Sequence, residues 1–258
     1  MTRFRFVRAA CASVLCAGTA LGVQTPQEEC DQARVTAWKA YVSCVEIVVA
    51  KNAGGNSVGA NDAFAKCLGT YFGNWTAFQQ DSSLTGSTCI GNRFTSTDSG
   101  ATVTDALTGL VWEKQDGTVG GSSDLSDPQN VNNEYSWSTG APYAENGTAF
   151  TTFLMDAVTG LNVAGFAGAN DWRLPTLAEL QSILLVACTT SGCGCLANPC
   201  IDPTFGPTQN ALSASGYWSA TSWVTNPGSA WNVPFDYVNV YAPNKAALAF
   251  VRAVRGGL

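Results

Sequence analysis

Helices at the front and short strands behind them: the sequence predicts an α+β fold. Three observations predict it. Between residues 27 and 80, apolar residues recur at three- and four-residue intervals, the period of an α-helix. From about residue 94 the texture changes to short apolar alternations among Thr, Ser, Asn and Gly, which suits strands and turns. Within that second region, Asp171-Trp172-Arg173-Leu174-Pro175-Thr176-Leu177-Ala178-Glu179-Leu180 reads as a strand end turning into a helix. Pro175 forces Leu174 to be extended, and Thr176 with Glu179 three residues on fits a capping box.

The chain has 258 residues, enough for one large domain or two modest ones, and its 8 Trp and 12 Phe can fill a core. It carries 13 basic against 19 acidic residues, with no cluster of Lys and Arg along which phosphates would track. Nucleic acid is therefore not an expected partner, and a membrane is expected only through partners. There is no histidine. That removes the usual general base, the commonest metal ligand and every Ser-His or Cys-His arrangement. Asp171 and Glu179, the nearest approach to paired carboxylates, are explained by the turn and the cap, so no enzymatic activity is expected.

In order along the chain, residues 1–22 read as a secretory signal peptide. Arg3, Arg5 and Arg8 precede a small apolar run, and Ala20-Leu21-Gly22 offers a cleavage site. The run is too short to span a bilayer comfortably. Export leads to the extracellular space, the cell surface or the periplasm. Eight cysteines remain after cleavage, in two blocks of four, and an even count in an oxidising compartment implies disulfides. Zinc held by Cys188, Cys193, Cys195 and Cys200 is the competing reading, which export disfavours.

Residues 27–52 form a first helix, with Ala33, Ala37, Ala40, Tyr41, Cys44 and Val48 near one face. Gly54-Gly55-Asn56-Ser57 breaks it, and Asn61 or Asp62 can cap a second helix running to about residue 80. Joined by so short a loop, the two should lie antiparallel. That register sets Cys44 opposite Cys67 and Cys30 near Cys89, predicting nested bridges and a disulfide-linked hairpin over 27–89. In the second block, a Cys193–Cys195 bridge would close a very small ring, so each is expected to pair outward.

Residues 94–258 are read as the second domain. Residues 103–114 predict a β-hairpin turning at 105–109, and Tyr135-Ser136-Trp137 a short strand. Residues 117–133 read as a solvated loop; the spacing of Asp124, Asp127 and Glu134 matches no calcium loop, and no cofactor is expected. Thr148 can cap a helix that Gly160 ends. After the 188–200 block, residues 217–223, 231–236, 237–241 and 249–256 read as strands. Trp231, Val233 and Phe235 should face inward, with Asn232, Pro234 and Asp236 on the open side.

Five ordered motifs then carry a resemblance. They are Thr104-Asp105-x-x-Thr108-Gly109-Leu110-x-Trp112, the 171–180 stretch, Tyr217-Trp218-Ser219-x-Thr221, Ala230-Trp231-x-Val233-x-Phe235 and Val251-Arg252-Ala253-Val254-Arg255-Gly256-Gly257. Over residues 94–258 the chain resembles the Lcl C-terminal domain family. The resemblance implies a C-type-lectin-like fold of short antiparallel strands with two helices, related to the formylglycine-generating and sulfatase-modifying group. It also implies extracellular adhesion, which in that family involves sulfated polysaccharide. The formylglycine-generating activity needs a free cysteine pair near the C-terminal end; no cysteine follows Cys200, so that activity is not implied here.

The expected function is recognition of a glycan or protein ligand by an exported, adhesin-like protein. Rings stack on the C–H faces of sugars while amides and carboxylates bond their hydroxyls. The candidates of that chemistry are Trp223, Asn226, Trp231, Asn232, Asp236, Tyr237, Asn239, Tyr241 and Asn244, although the same rings would serve as core. The alternative is a structural envelope or surface-assembly protein that docks through its hairpin.

Overall fold

The computed structural model describes residues 25–52, 57–79, 93–189, 192–209, 216–236 and 238–257. The expected signal peptide, Cys89 and Tyr237 lie outside the described residues. The chain is α+β, with helices first and short antiparallel strands after them.

Helix α1 spans Pro26–Lys51 and α2 spans Ser57–Gln79. A capping box starts α1: Thr25 Oγ1 accepts from Glu28 N, and the Glu28 carboxylate accepts from Thr25 N at 2.7 Å. Helix α2 begins four residues before the expected cap. Asn61 is inside it and accepts a hydrogen bond from Val240 N at 2.9 Å. The buried face of α1 also differs from expectation. Trp38, Tyr41, Val45, Val48 and Val49 are buried while Ala40 is exposed, because the large rings and branched chains fill the seam. Tyr41 stacks on Tyr71 of α2 with centroids 4.7 Å apart.

Cys44 and Cys67 form the expected bridge between the helices. Cys30 is also disulfide-bonded. Closing a 23-residue separation restricts the unfolded chain, a contribution of about 3 kcal/mol. Replacing both Cys44 and Cys67 with alanine is expected to lower the denaturant midpoint by a stability loss of that size.

Strands β1 (Phe94–Thr97), β2 (Thr102–Asp105), β3 (Leu110–Glu113) and β10 (Val254–Gly256) form one antiparallel sheet in the order β1-β2-β3-β10. The β2–β3 turn follows from Asp105. Its carboxylate accepts from Leu107 N and Thr108 Oγ1, both at 2.9 Å, and Gly109 takes the left-handed conformation at φ +70°. Arg93 closes on the same carboxylate with two hydrogen bonds, at 3.0 and 2.9 Å, and reaches Ser182 O at 2.7 Å. The Asp-x-x-Thr-Gly motif is thus a structural knot.

Short pairs complete the framework: β4 (Tyr135–Ser136) with β9 (Leu248–Ala249), β5 (Val186–Thr189) with β6 (Gly192–Cys195), and β7 (Tyr217–Ser222) with β8 (Ala230–Val233). The β5–β6 register sets Cys188 opposite Cys193, and Cys195 bonds outward to Cys200. The helix expected after Thr148 is a single π-helical stretch, Ala149–Leu154, and Thr148 does not cap it. Instead Thr148 Oγ1 accepts from Ser136 N at 2.9 Å, so the residue is spent on the neighbouring strand.

The 171–180 stretch turns as expected. Thr176 and Glu179 form a capping box at the head of α3 (Leu177–Ser182), and Arg173 grips Glu179 with two hydrogen bonds of 2.7 Å. Arg173 pairs its backbone with Val254, and Arg255 reaches back to Asp171 at 2.7 Å. The terminal segment read as one strand is two. Strands β9 and β10 are separated at 250–253, where the chain crosses between sheets and turns Arg252 inward.

The hairpin shares a core with the strand-rich region. Trp38, Tyr41, Phe64, Leu68 and Tyr71 belong to one buried cluster with Leu177, Leu180, Ile183, Trp231 and Val240. Arg34 donates to Ala106 O, adding a polar tie at the other end. A second cluster of Tyr135, Trp137, Phe153, Trp172, Leu174 and Trp218 lies beyond the β7–β8 pair.

Candidate functional site

The sequence candidates fall on the β7–β8 ribbon and the segment that folds back along it. Strand β8 pairs on one side with β7, Tyr217 opposite Val233 and Trp218 opposite Asn232. On its other side it takes residues 241–244 as a third edge. Asn232 and Tyr241 exchange backbone hydrogen bonds of 2.8 and 3.1 Å, and Ser229 bridges Asn244. Residues 226–229 turn the ribbon: Asn226 N donates to Trp223 O, Ser229 N to Asn226 O, and Asn226 Nδ2 to Ser229 Oγ.

This return segment divides the candidates. Trp231 and Asn232 are buried, Trp231 at 3% exposure. The alternation expected to leave Asn232 and Pro234 open fails, because the face of β8 that carries Ala230 and Asn232 is turned to the second buried cluster, with Asn232 opposite Trp218. Trp231 packs edge-on against Phe64 of α2 at 5.6 Å and against Trp223 at 5.9 Å. Trp223 is half-buried, its indole donating to Asn52 O at the end of α1. Asp236 and Tyr241 are half-buried, and Asn226, Asn239 and Asn244 are exposed. Asn244 folds its own turn by accepting from Ala246 N at 2.8 Å. Three exposed amides and the Tyr241 ring therefore stand on one tethered ribbon, with Trp223 and Trp231 as its underside.

Sequence reasoning missed Lys245, which anchors this ribbon. It is 3% exposed, and its ammonium donates to Ser222 Oγ at 2.7 Å and Tyr143 O at 3.2 Å while facing the Trp137 ring at 3.7 Å. Burial lowers its pKa, opposed by the charge of Glu145. Its backbone carbonyl accepts from both Trp137 and Ser138, and its own N–H donates to Gly228 O at 2.7 Å. A lysine inside an Asn-rich turn gives no local sign of this role, since its partners lie about the 137–143 and 222–228 positions.

Also unforeseen is a buried polar cluster beside β3. Arg252, at 0% exposure, donates to Glu113 O, Phe205 O, Gln115 Oε1 and Thr208 Oγ1. Tyr217 OH donates to the same Gln115 oxygen at 3.0 Å. The Glu113 carboxylate accepts from Ala253 N at 3.1 Å, and burial pushes its pKa up to about 7. These groups are enclosed in the core and hold strands together. Among the described residues, no group of three His, Cys, Asp or Glu side chains is placed to hold a metal ion, and no helix is long and apolar enough to cross a membrane.

The family model described as the Lcl C-terminal domain matches residues 101–255. No curated protein and no solved structure matches the chain.

Proposed function

The chain belongs to the Lcl C-terminal domain family, and on that premise we propose that it is an exported, non-enzymatic binding protein that recognises a glycan or protein ligand in the manner of an adhesin. The family and the disulfides Cys44–Cys67 and Cys195–Cys200 are consistent with an extracellular location. One observation carries the reading: a ribbon fixed by backbone pairing and by buried Lys245 presents Asn226, Asn239, Tyr241 and Asn244 outward. Fixed polar groups around an aromatic ring suit a ligand rich in hydroxyls, because little ordering entropy is left to lose on binding.

The test is a glycan array probed with the exported protein and with Asn239→Ala and Tyr241→Ala. Each substitution is expected to weaken binding about tenfold, or roughly 1.4 kcal/mol. Folding stability should move by less than about 0.5 kcal/mol, since the Tyr241 backbone pairing with Asn232 stays. Absence of binding to any glycan or cell surface would sink the lectin-type reading.

The alternative, a surface-assembly protein docking through its hairpin, is favoured by one feature. An apolar groove of about 320 Å³ runs between α1 and the ribbon, lined by Val42, Val45, Val49, Leu177, Thr221 and Val224. An envelope partner recovered with the native protein but not with Val224→Arg, alongside a silent array, would favour that reading.

A further inference from the structure

The recognition ribbon does not stand alone. The 140–146 loop is held against it from the side. Lys245 reaches across to Tyr143 O, and Ser138 Oγ donates to Asn146 Oδ1 at 3.0 Å, closing the loop on itself. Tyr143 has φ +62°, a left-handed conformation that a bulky residue adopts only where its surroundings impose it. That conformation lays the ring over Gly228. A Cβ on Gly228 would come within 3.2 Å of Tyr143 Cζ, so the ring lies in tight contact with the turn and a side chain there would displace it by a few tenths of an ångström. Tyr143 is nonetheless half-exposed, and Ala144, Glu145 and Asn146 beside it are exposed.

The charge of this face is as telling as its shape. Lys245 is the only cation in the segments that build it, and its ammonium points inward to Ser222, Tyr143 and Trp137. The charged group that faces it from the 140–146 loop is acidic, the exposed Glu145. Lys51, exposed at the end of α1, is a lone charge and makes no track for a polyanion.

We propose that the 140–146 loop is the second wall of the recognition face, with Tyr143 contacting the ligand, and that the face takes an uncharged saccharide. The inference rests on the binding function proposed above and specifies its ligand. Tyr143 and Tyr241 supply rings for C–H faces, Asn226, Asn239, Asn244 and Asn146 supply amides for hydroxyls, and with Lys245 turned inward and Glu145 exposed the face offers sulfate no cation.

The experiment uses the full exported chain on an array printed with neutral oligosaccharides and with heparin oligosaccharides at matched density. Neutral saccharides are expected to bind, with affinity changing less than about twofold between 0.05 and 0.5 M NaCl, whereas a polyanion contact weakens steeply with salt. Tyr143→Ala should weaken that binding about tenfold. Tyr143→Asn, which tolerates the left-handed backbone, separates loss of the ring from loss of the loop and should weaken binding equally. Binding confined to heparin overturns the proposal while leaving a binding function intact. Neutral binding that both Tyr143 variants leave unchanged, but Tyr241→Ala weakens, also overturns it. A protein silent on every spot overturns the glycan reading and this inference with it.

Discussion

Replacing Arg252 with leucine is expected to destabilise the protein by about 3–5 kcal/mol, measured as the shift in denaturant midpoint at unchanged slope. The guanidinium is wholly buried and serves five acceptors on two separated segments, residues 113–115 and the 205–208 turn. Leucine fills part of the volume but takes the guanidinium donors from those oxygens in a region water does not reach, leaving Gln115 Oε1 only its bond from Tyr217 OH. Arg252→Lys keeps the charge and loses the planar fork, so its loss should fall between wild type and leucine. The rings of Phe205 and Tyr217, at 5.6 and 5.8 Å from the guanidinium carbon, would also lose a cation partner.

The same cluster sets a pH dependence. Burial raises the Glu113 carboxyl from 4.5 to about 7, with Asp116 and Asp127 reinforcing the rise and Arg252 and the Ala253 N–H opposing it. The folded state therefore holds this proton more tightly than the unfolded chain does. The resulting stabilisation is fully present below pH 4.5 and is lost as pH rises through about 7, an amount of order 3 kcal/mol. Removing Arg252 takes away the opposing charge and drives the carboxyl higher still. The deficit of Arg252→Leu should accordingly be larger near pH 8 than near pH 5, by roughly 1 kcal/mol. Equal deficits at the two pH values would show that Arg252 acts through its carbonyl bonds alone.

What was legible in the sequence was short-range. The Thr176–Glu179 capping box, the turn at Asp105 and the Cys44–Cys67 bridge each depend on residues near one another or on a simple antiparallel register. The Arg252 cluster was not legible, because its partners are brought together by the pairing of β3 with β10, more than a hundred residues apart. Residues 249–256 read as one strand because an apolar run carries no mark of the place where it changes sheets. The candidate site shows the same division. The inward turn of Trp231 was legible from the alternation along its strand, but its contact with Phe64 of the hairpin, the burial of Asn232 and the Lys245 clamp on the Trp137–Tyr143 segment were not.

Trp231 is where that division can be measured. Alanine at Trp231 is expected to cost about 3–5 kcal/mol, the range for removing a large buried ring. It opens a void between α2 and the ribbon, where Phe64 and Trp223 lose their common neighbour. Phenylalanine should recover most of this, since it keeps a ring against Phe64 and the indole N–H it removes has no acceptor. Binding should separate the two kinds of aromatic residue. Trp231→Phe is expected to bind ligand within about twofold of wild type while its melting temperature falls. Tyr241→Ala should show the reverse, weakened binding at an unchanged melting temperature. The ribbon is then a surface whose specificity is carried by groups added to it, and whose rigidity comes from a core that the hairpin helps to complete. A Trp231→Phe protein that melts like wild type but no longer binds would mean instead that ligand reaches the indole, and that the helix α2 side of the ribbon opens in solution.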